Sequence, residues 1–119
     1  MSWNELTEEE KYIIERKGTE VPFSGVYNLH FENGVYLCRR CNAKLFDSEE
    51  KFNSYCGWPS FDEAIKDAVL QLPDKDRVRT EILCASCNAH LGHVFFGERL
   101  TPKNQRFCVN STSLSFQQK

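Results

Sequence analysis

The residues best able to do chemistry in this chain are its six cysteines, at positions 38, 41, 56, 84, 87 and 108. Four of them form two matched segments, Cys38-Arg39-Arg40-Cys41 and Cys84-Ala85-Ser86-Cys87, each followed by Asn and Ala. Two residues between cysteines let a tight turn aim both sulfurs at one ion. Two such turns close a tetrahedral thiolate shell, whose geometry and softness select zinc. The interval between the pairs is longer than in a usual zinc ribbon, but the spacing within each pair is the physical constraint. Either pair alone could instead be a redox dithiol; the match between the two favours the metal. A closed four-thiolate shell leaves no position for water, so one Zn2+ per chain, held by Cys38, Cys41, Cys84 and Cys87, is expected to be structural.

Cys56 and Cys108 remain. Cys108 lies in Arg106-Phe107-Cys108-Val109-Asn110, where strand alternation places Arg106, Cys108 and Asn110 on one face. A cation on that face favours the thiolate, which is the nucleophilic form. Taken alone, an isolated cysteine is as readily a small core residue. Cys56 lies in Ser54-Tyr55-Cys56-Gly57-Trp58-Pro59-Ser60-Phe61, a turn with a rigid proline and a flexible glycine. A second thiol on such a loop could reach an oxidised Cys108 and close a disulfide; Trp58 alone reads as an ordinary core aromatic. His90 and His93 follow the second cysteine pair directly, and with four thiolates already filling one ion they are candidates for donating or orienting a proton. His30, between Leu29 and Phe31, reads as structural.

These side chains need a frame, and 119 residues suffice for one domain, since a single core uses about 100–200. With 40% apolar and 27% charged residues the composition is globular, against disorder or a membrane-embedded chain. Fifteen basic against seventeen acidic side chains give a net charge of -2 and a pI near 5.9, so no broad basic field exists to hold nucleic acid. No secretory signal opens the sequence, which predicts a cytoplasmic protein with reduced thiols; a trimmed, secreted chain is the alternative.

Thr7 and Glu10 form a capping box for a short amphipathic helix over Leu6–Lys17. Thr19–Gly25 reads as a loop. Val26–Phe31 and Val35–Cys38 read as strands joined at Asn33-Gly34, a hairpin signal. Lys44–Phe52 reads as a strand interrupted by a turn, and Asp62–Ile65 as one helical turn with an acidic start. Val69–Leu72, Val78–Leu83, His93–Phe96, Arg106–Val109 and Leu114–Phe116 read as further strands. Regularly spaced short strands predict an antiparallel sheet protein.

From Leu6 to Phe116 the chain resembles the B-type methionine-R-sulfoxide reductases. The resemblance rests on Gly18-Thr19-Glu20, Pro22-Phe23-Ser24-Gly25, both Cys-x-x-Cys segments, Cys56-Gly57-Trp58-Pro59-Ser60-Phe61, His90-Leu91-Gly92-His93-Val94-Phe95 and Arg106-Phe107-Cys108-Val109-Asn110-Ser111. It implies a mainly β fold of two small antiparallel sheets with short flanking helices, stabilised by zinc at the two cysteine knuckles. It also implies that Cys108 attacks the sulfoxide sulfur and becomes a sulfenic acid, that Cys56 resolves this as a disulfide, and that thioredoxin reduces the pair. By the same resemblance His93 protonates the sulfoxide oxygen, His90 and Asn110 hold the polar side of the pocket, Trp58 receives the methyl group, and Phe107 belongs to the substrate pocket. Substrates would be oxidised proteins or free methionine-R-sulfoxide, and a monomer is the simplest expectation. The loop Gly97–Gln105 varies in that family, so protein-substrate preference does not follow from it.

A different class of function remains open: a zinc-stabilised partner-binding module without catalysis, since small β folds with paired knuckles also serve in binding. The residues outside the knuckles separate the two, because a binding module has no need of Cys56, His93 and Cys108 together.

Overall fold

The structure is a computed structural model that describes residues 3–119. One helix, α1 (Glu8–Ile14), starts at the capping box: the Glu10 N–H donates to Thr7 Oγ1 at 3.1 Å, and the Thr7 N–H to Glu10 Oε1 at 2.8 Å. The helix stops short of the expected Lys17, and its Ile13 and Ile14 turn into the core. Nine strands follow: β1 (Gly34–Cys38), β2 (Lys44–Asp47), β3 (Lys51–Phe52), β4 (Ser60–Phe61), β5 (Val69–Pro73), β6 (Thr80–Cys84), β7 (His90–Phe96), β8 (Gln105–Val109) and β9 (Leu114–Gln118). They form two antiparallel sheets, β2-β1-β9 and β3-β4-β8-β7-β6-β5. The mainly β architecture with two sheets is as expected; its helical parts are α1 and two 3-10 turns, Ser48–Glu50 and Ser111–Ser113.

Aromatic side chains join the sheets. Phe46 of the smaller sheet stacks on Phe61 of the larger one with centroids 4.3 Å apart, Tyr36 meets Phe61 edge-on at 5.1 Å, and Phe46 also packs against Phe107 at 5.8 Å. Tyr36, Phe46 and Phe61 are fully buried, so this contact is the centre of the core.

Two local expectations are corrected. Val26–Phe31 is not a strand and Asn33-Gly34 is not a hairpin turn. Both edges of β1 are occupied, by β2 and by β9, which leaves no hydrogen-bonding edge for a third partner. The segment winds instead through turns in which the Asn28 N–H donates to Gly25 O and the His30 N–H to Tyr27 O. This turns Tyr27 and His30 inward, where His30 Nδ1 meets the Tyr36 hydroxyl at 2.8 Å, so His30 is structural as expected. Asp62–Ile65 forms no helical turn, because its amides have distant partners: Asp62 N–H donates to Glu50 O and Ile65 N–H to Leu45 O.

In the larger sheet β8 lies between β4 and β7, and Cys108 pairs with Ser60 on one side and His93 on the other. The β7–β8 contact is tight at Gly92, where a Cβ would lie 2.0 Å from the Cys108 carbonyl oxygen. Gly92→Ala should therefore force the two strands apart and destabilise the fold by about 1–3 kcal/mol. Thermal unfolding measures this, and an unchanged melting temperature would show that the strands part without cost.

Candidate active site

Cys38 ends β1 and Cys84 ends β6, so the two cysteine pairs sit on different sheets. Both knuckles fold alike. Cys38 N–H donates to Ala43 O and Asn42 N–H to Cys38 O; Cys84 N–H donates to Ala89 O and Asn88 N–H to Cys84 O. Asn42 and Asn88 sit at φ 65° and 64°, the left-handed region that asparagine tolerates better than most residues. That explains the repeated Asn after each pair. The four sulfurs lie within 4.8 Å of one another, with Cys38–Cys87 at 3.6 Å and Cys41–Cys84 at 3.7 Å. A tetrahedral ion with metal–sulfur bonds of about 2.3 Å requires sulfurs roughly 3.8 Å apart, so the four thiols fit one such ion. Arg40 braces this cluster: its Nε donates to Cys87 Sγ at 3.5 Å and its Nη2 to the Cys87 carbonyl.

A second constellation lies on the larger sheet. A pocket of about 130 Å³ is lined by Cys56, Trp58, His93, Phe95, Cys108 and Asn110, with Arg106 and Thr19 at its sides. Its size is comparable to a cavity of about 150 Å³ that accommodates benzene. Of the side chains singled out from the sequence, the pocket brings together Cys56, Trp58, His93, Cys108 and Asn110. Phe107 is a correction: alternation along β8 turns it to the opposite face from Cys108, and it is a core residue against Phe46. His90 lies behind the pocket, buried, with Nδ1 2.7 Å from Glu81 Oε2.

The placement of both histidines depends on an irregularity. Residues three apart on a regular strand face opposite sides, but the β6–β7 register shifts between Ile82 and Leu83, and this bulge brings the His90 and His93 rings to 5.8 Å. His93 Nε2 contacts the Asp74 carboxylate, which also pairs with Arg79 at 3.6 Å. The contact with Asp74 engages Nε2 and leaves Nδ1 as the other ring nitrogen. The hydrogen bond from His93 holds the Asp74 carboxyl below the usual carboxylate range, whereas burial pushes the His90 imidazolium pKa down against the pull of Glu81. His90 is thereby kept neutral, an orienting group within a Lys17–Glu81–His90 chain whose Lys17–Glu81 contact is 3.0 Å.

The two sulfurs of the pocket sit in unlike surroundings. Hydrogen bonding from Cys108, and then from the Ser54 and Ser60 hydroxyls, lowers the Cys56 thiol to about 4 against the opposing effect of burial. Ser54 Oγ lies 3.0 Å from Cys56 Sγ. The same bond to Cys56, together with burial, pushes Cys108 up. Arg106, expected to favour a thiolate on Cys108, donates from Nη1 to Cys56 Sγ at 3.3 Å and is held by Glu98 at 2.8 Å. The surroundings thus favour a thiolate on Cys56 over one on Cys108.

Sequence reasoning passed over the residue that holds the pocket's walls. Glu20 accepts Trp58 Nε1–H at its carbonyl at 3.1 Å and donates its own N–H to Asn110 Oδ1 at 3.1 Å. Its carboxylate accepts from the Thr112 N–H and hydroxyl, both at 2.9 Å. The only signal for it was its place in Gly18-Thr19-Glu20. Asp74 and Glu81, the carboxylates behind the histidines, carried no motif.

The fold and the pocket define a cysteine-knuckled β domain with a thiol redox site. Residues 6–118 match the SelR domain model, and the chain belongs to that family, the thiol-dependent methionine sulfoxide reductases. It is 47% identical to peptide methionine sulfoxide reductase B2, chloroplastic, of Arabidopsis thaliana, over 96% of this chain and 57% of the relative. The rice reductase B5 is 48% identical over 93% of this chain and 82% of its own length. Peptide methionine sulfoxide reductase MsrB of Pseudomonas fluorescens is 49% identical over 94% of this chain and 88% of its own. The chain thus spans little more than half of the chloroplast relative and most of the other two. A crystal structure of the Mis18 "Yippee-like" domain superposes with a TM-score of 0.55 at 17% identity, over 74% of this chain and 98% of that domain; it shows a shared fold alone.

The lowered Cys56 thiol has a direct consequence for reactivity. Alkylation of Cys56 by iodoacetamide, followed by peptide mass, should keep its rate as pH falls from about 8.5, the ordinary thiol value, and should decline only on passing about 4. A decline that begins near the ordinary value would show that the pair holds no stabilised thiolate.

Proposed function

We propose that this protein reduces methionine-R-sulfoxide, free or within proteins, to methionine, with Cys108 as nucleophile and Cys56 as resolving thiol. The observation that carries this reading is the convergence of Cys108, Cys56 and His93 on one pocket sized for a methyl sulfoxide. Breaking a sulfur–oxygen bond requires a soft nucleophile, a proton for the oxygen and a second thiol to reset the first.

As Cys108 attacks the sulfoxide sulfur, His93 takes its proton and delivers it to the sulfoxide oxygen. The sulfur–oxygen bond of the sulfoxide breaks, methionine departs, and the hydroxyl moves to the Cys108 sulfur as sulfenic acid, with no net gain or loss of protons. Cys56 then attacks the Cys108 sulfur as thiolate, the hydroxyl takes up a solvent proton and leaves as water, and a disulfide remains. A dithiol protein of the thioredoxin type reduces it and is itself oxidised. Trp58 and Phe95 offer apolar walls to the substrate methyl, and Asn110 supplies a polar edge. Asp74 orients His93, and His90 with Glu81 supports it from behind. One chain contributes every group of the pocket, so a monomer suffices.

Four thiolates of the knuckles would hold one Zn2+, whose chemistry here is to bind the two sheets together. Removing it with a strong chelator should lower thermal stability; a loss of about 3 kcal/mol corresponds to a fall in Tm of roughly 10 °C. A melting temperature indifferent to chelation would remove the metal from the account. The cellular setting that suits these reduced thiols is the cytoplasm. Among the described residues no helix is long and apolar enough to cross a membrane.

Racemic N-acetyl methionine sulfoxide incubated with the protein and dithiothreitol tests the reaction. Chiral chromatography should show loss of the R-sulfur form alone. Cys108→Ser should abolish that loss, and Cys56→Ser should keep the first turnover while recycling by thioredoxin collapses. Persistence of both enantiomers with the fully reduced protein would leave a partner-binding module as the better account.

A further inference from the structure

Two aromatic side chains stand in solvent at positions where the backbone is strained. Phe23 has φ 67° and Tyr55 φ 63°, yet their rings are 68% and 82% exposed. A bulky residue in the left-handed region is held there only when its surroundings impose it, and such strain clusters at binding sites. Core packing does not explain these two, because little of either ring is buried.

The two positions belong to one surface. The Phe23 N–H donates to the Gly57 carbonyl at 2.7 Å, and the Phe23 ring lies so close to Gly57 that a Cβ there would be 3.1 Å from it. The segment Val21-Pro22-Phe23 therefore lies against Tyr55-Cys56-Gly57-Trp58. Val21, 70% exposed, extends the same uncharged face. This face runs straight into the pocket, since Cys56 and Trp58 line it and Glu20, next to Val21, holds the Trp58 indole.

The pocket's volume of about 130 Å³ suits a sulfoxide side chain. When that side chain belongs to a polypeptide, the neighbouring residues must lie over the rim, and the rim on the Cys56 side carries these apolar side chains beside the Arg106–Glu98 pair. Contact with the apolar side chains is favourable for apolar neighbours, whose surface leaves water, and offers little to charged ones.

We propose that Val21, Phe23 and Tyr55 form a substrate-selecting rim that favours methionine sulfoxide in a polypeptide segment with an aliphatic or aromatic neighbour over the same group in a polar segment. The proposal rests on the reductase reading above and names the substrate class of that site.

The test compares kcat/KM, with dithiothreitol as reductant, for three substrates: a blocked Leu–methionine sulfoxide–Phe peptide, a blocked Gly–methionine sulfoxide–Gly peptide, and N-acetyl methionine sulfoxide. The wild-type chain should prefer the apolar peptide to the glycine peptide several-fold. Phe23→Asn and Tyr55→Asn, in which asparagine tolerates the left-handed backbone, should erase most of that preference through a higher KM, with the N-acetyl substrate as reference. Val21→Ser, at a position with no such backbone strain, should weaken the preference in the same direction and serves if an Asn variant fails to fold.

Equal kcat/KM for the two peptides in the wild-type chain overturns the rim. So does a loss in the variants that is as large for N-acetyl methionine sulfoxide, or one seen only when a protein dithiol replaces dithiothreitol, which would give the surface to the reductant. Absence of turnover on all three substrates overturns the reductase reading, and the rim with it, whereas turnover without flank preference overturns the rim alone.

Discussion

The four-cysteine cluster is the constraint on which the rest of the structure depends, because its two halves belong to different sheets. Cys38 closes the last residue of β1, in the three-stranded sheet, and Cys84 closes β6, in the six-stranded one. Neither sheet is large, and the apolar contact between them rests mainly on Tyr36 and Phe46 meeting Phe61 and Phe107. A small domain buries a smaller share of its surface than a large one and is correspondingly marginal. The four sulfurs converge from both sheets, so an ion held there would fix the distance and angle at which those rings meet. The redox pocket lies on the same large sheet, so the clamp and the chemistry share one scaffold without sharing a ligand.

Central position in that sheet explains the site's precision. Cys108 is on β8, with backbone partners on both flanks, β4 and β7. Its nearest cross-strand neighbours are Ser60, whose hydroxyl approaches Cys56 Sγ at 3.5 Å, and His93. Cys56 comes from a loop, but that loop returns into β4 within a few residues and is pinned by Ser54 and Ser60, whose hydroxyls lie 2.7 Å apart. A rigid strand therefore carries the group proposed to attack, and a shorter, more adaptable segment carries the group proposed to follow. The division suits the order of steps, since only the second thiol must close on its partner.

What could be read from the sequence was whatever chemistry is local. The paired knuckles, the capping box at Thr7 and Glu10, and most strands were visible because spacing within a few residues determines them. The failures have one origin, the partner lying far along the chain. Asn33-Gly34 has the composition of a hairpin, and only the presence of β9 on the other edge of β1 rules it out. Glu20 meets Asn110 across ninety positions. The bulge opposite Ile82 that swings His90 and His93 to one side has no sequence signature of its own. Phe107 illustrates the reverse case: period-two alternation already placed Cys108 and Asn110 on one face, and the same rule sends Phe107 to the other, into the core.

The two sulfurs of the pocket differ in the charge their surroundings can hold. A buried thiolate without partners would be costly, and Cys108 is the more enclosed of the two, pushed toward its neutral form by burial and by its neighbour's charge. Cys56 has what the charge needs: two hydroxyls, the Arg106 guanidinium and the Cys108 thiol itself. The group proposed to attack is thus the more enclosed of the two, and the group proposed to follow it is the better surrounded for negative charge. A carboxylate–histidine pair in the same pocket, His93 with Asp74, stands ready for the oxygen. The groups around the two sulfurs come from β4, β7 and β8 together, so the site is assembled across the width of the larger sheet.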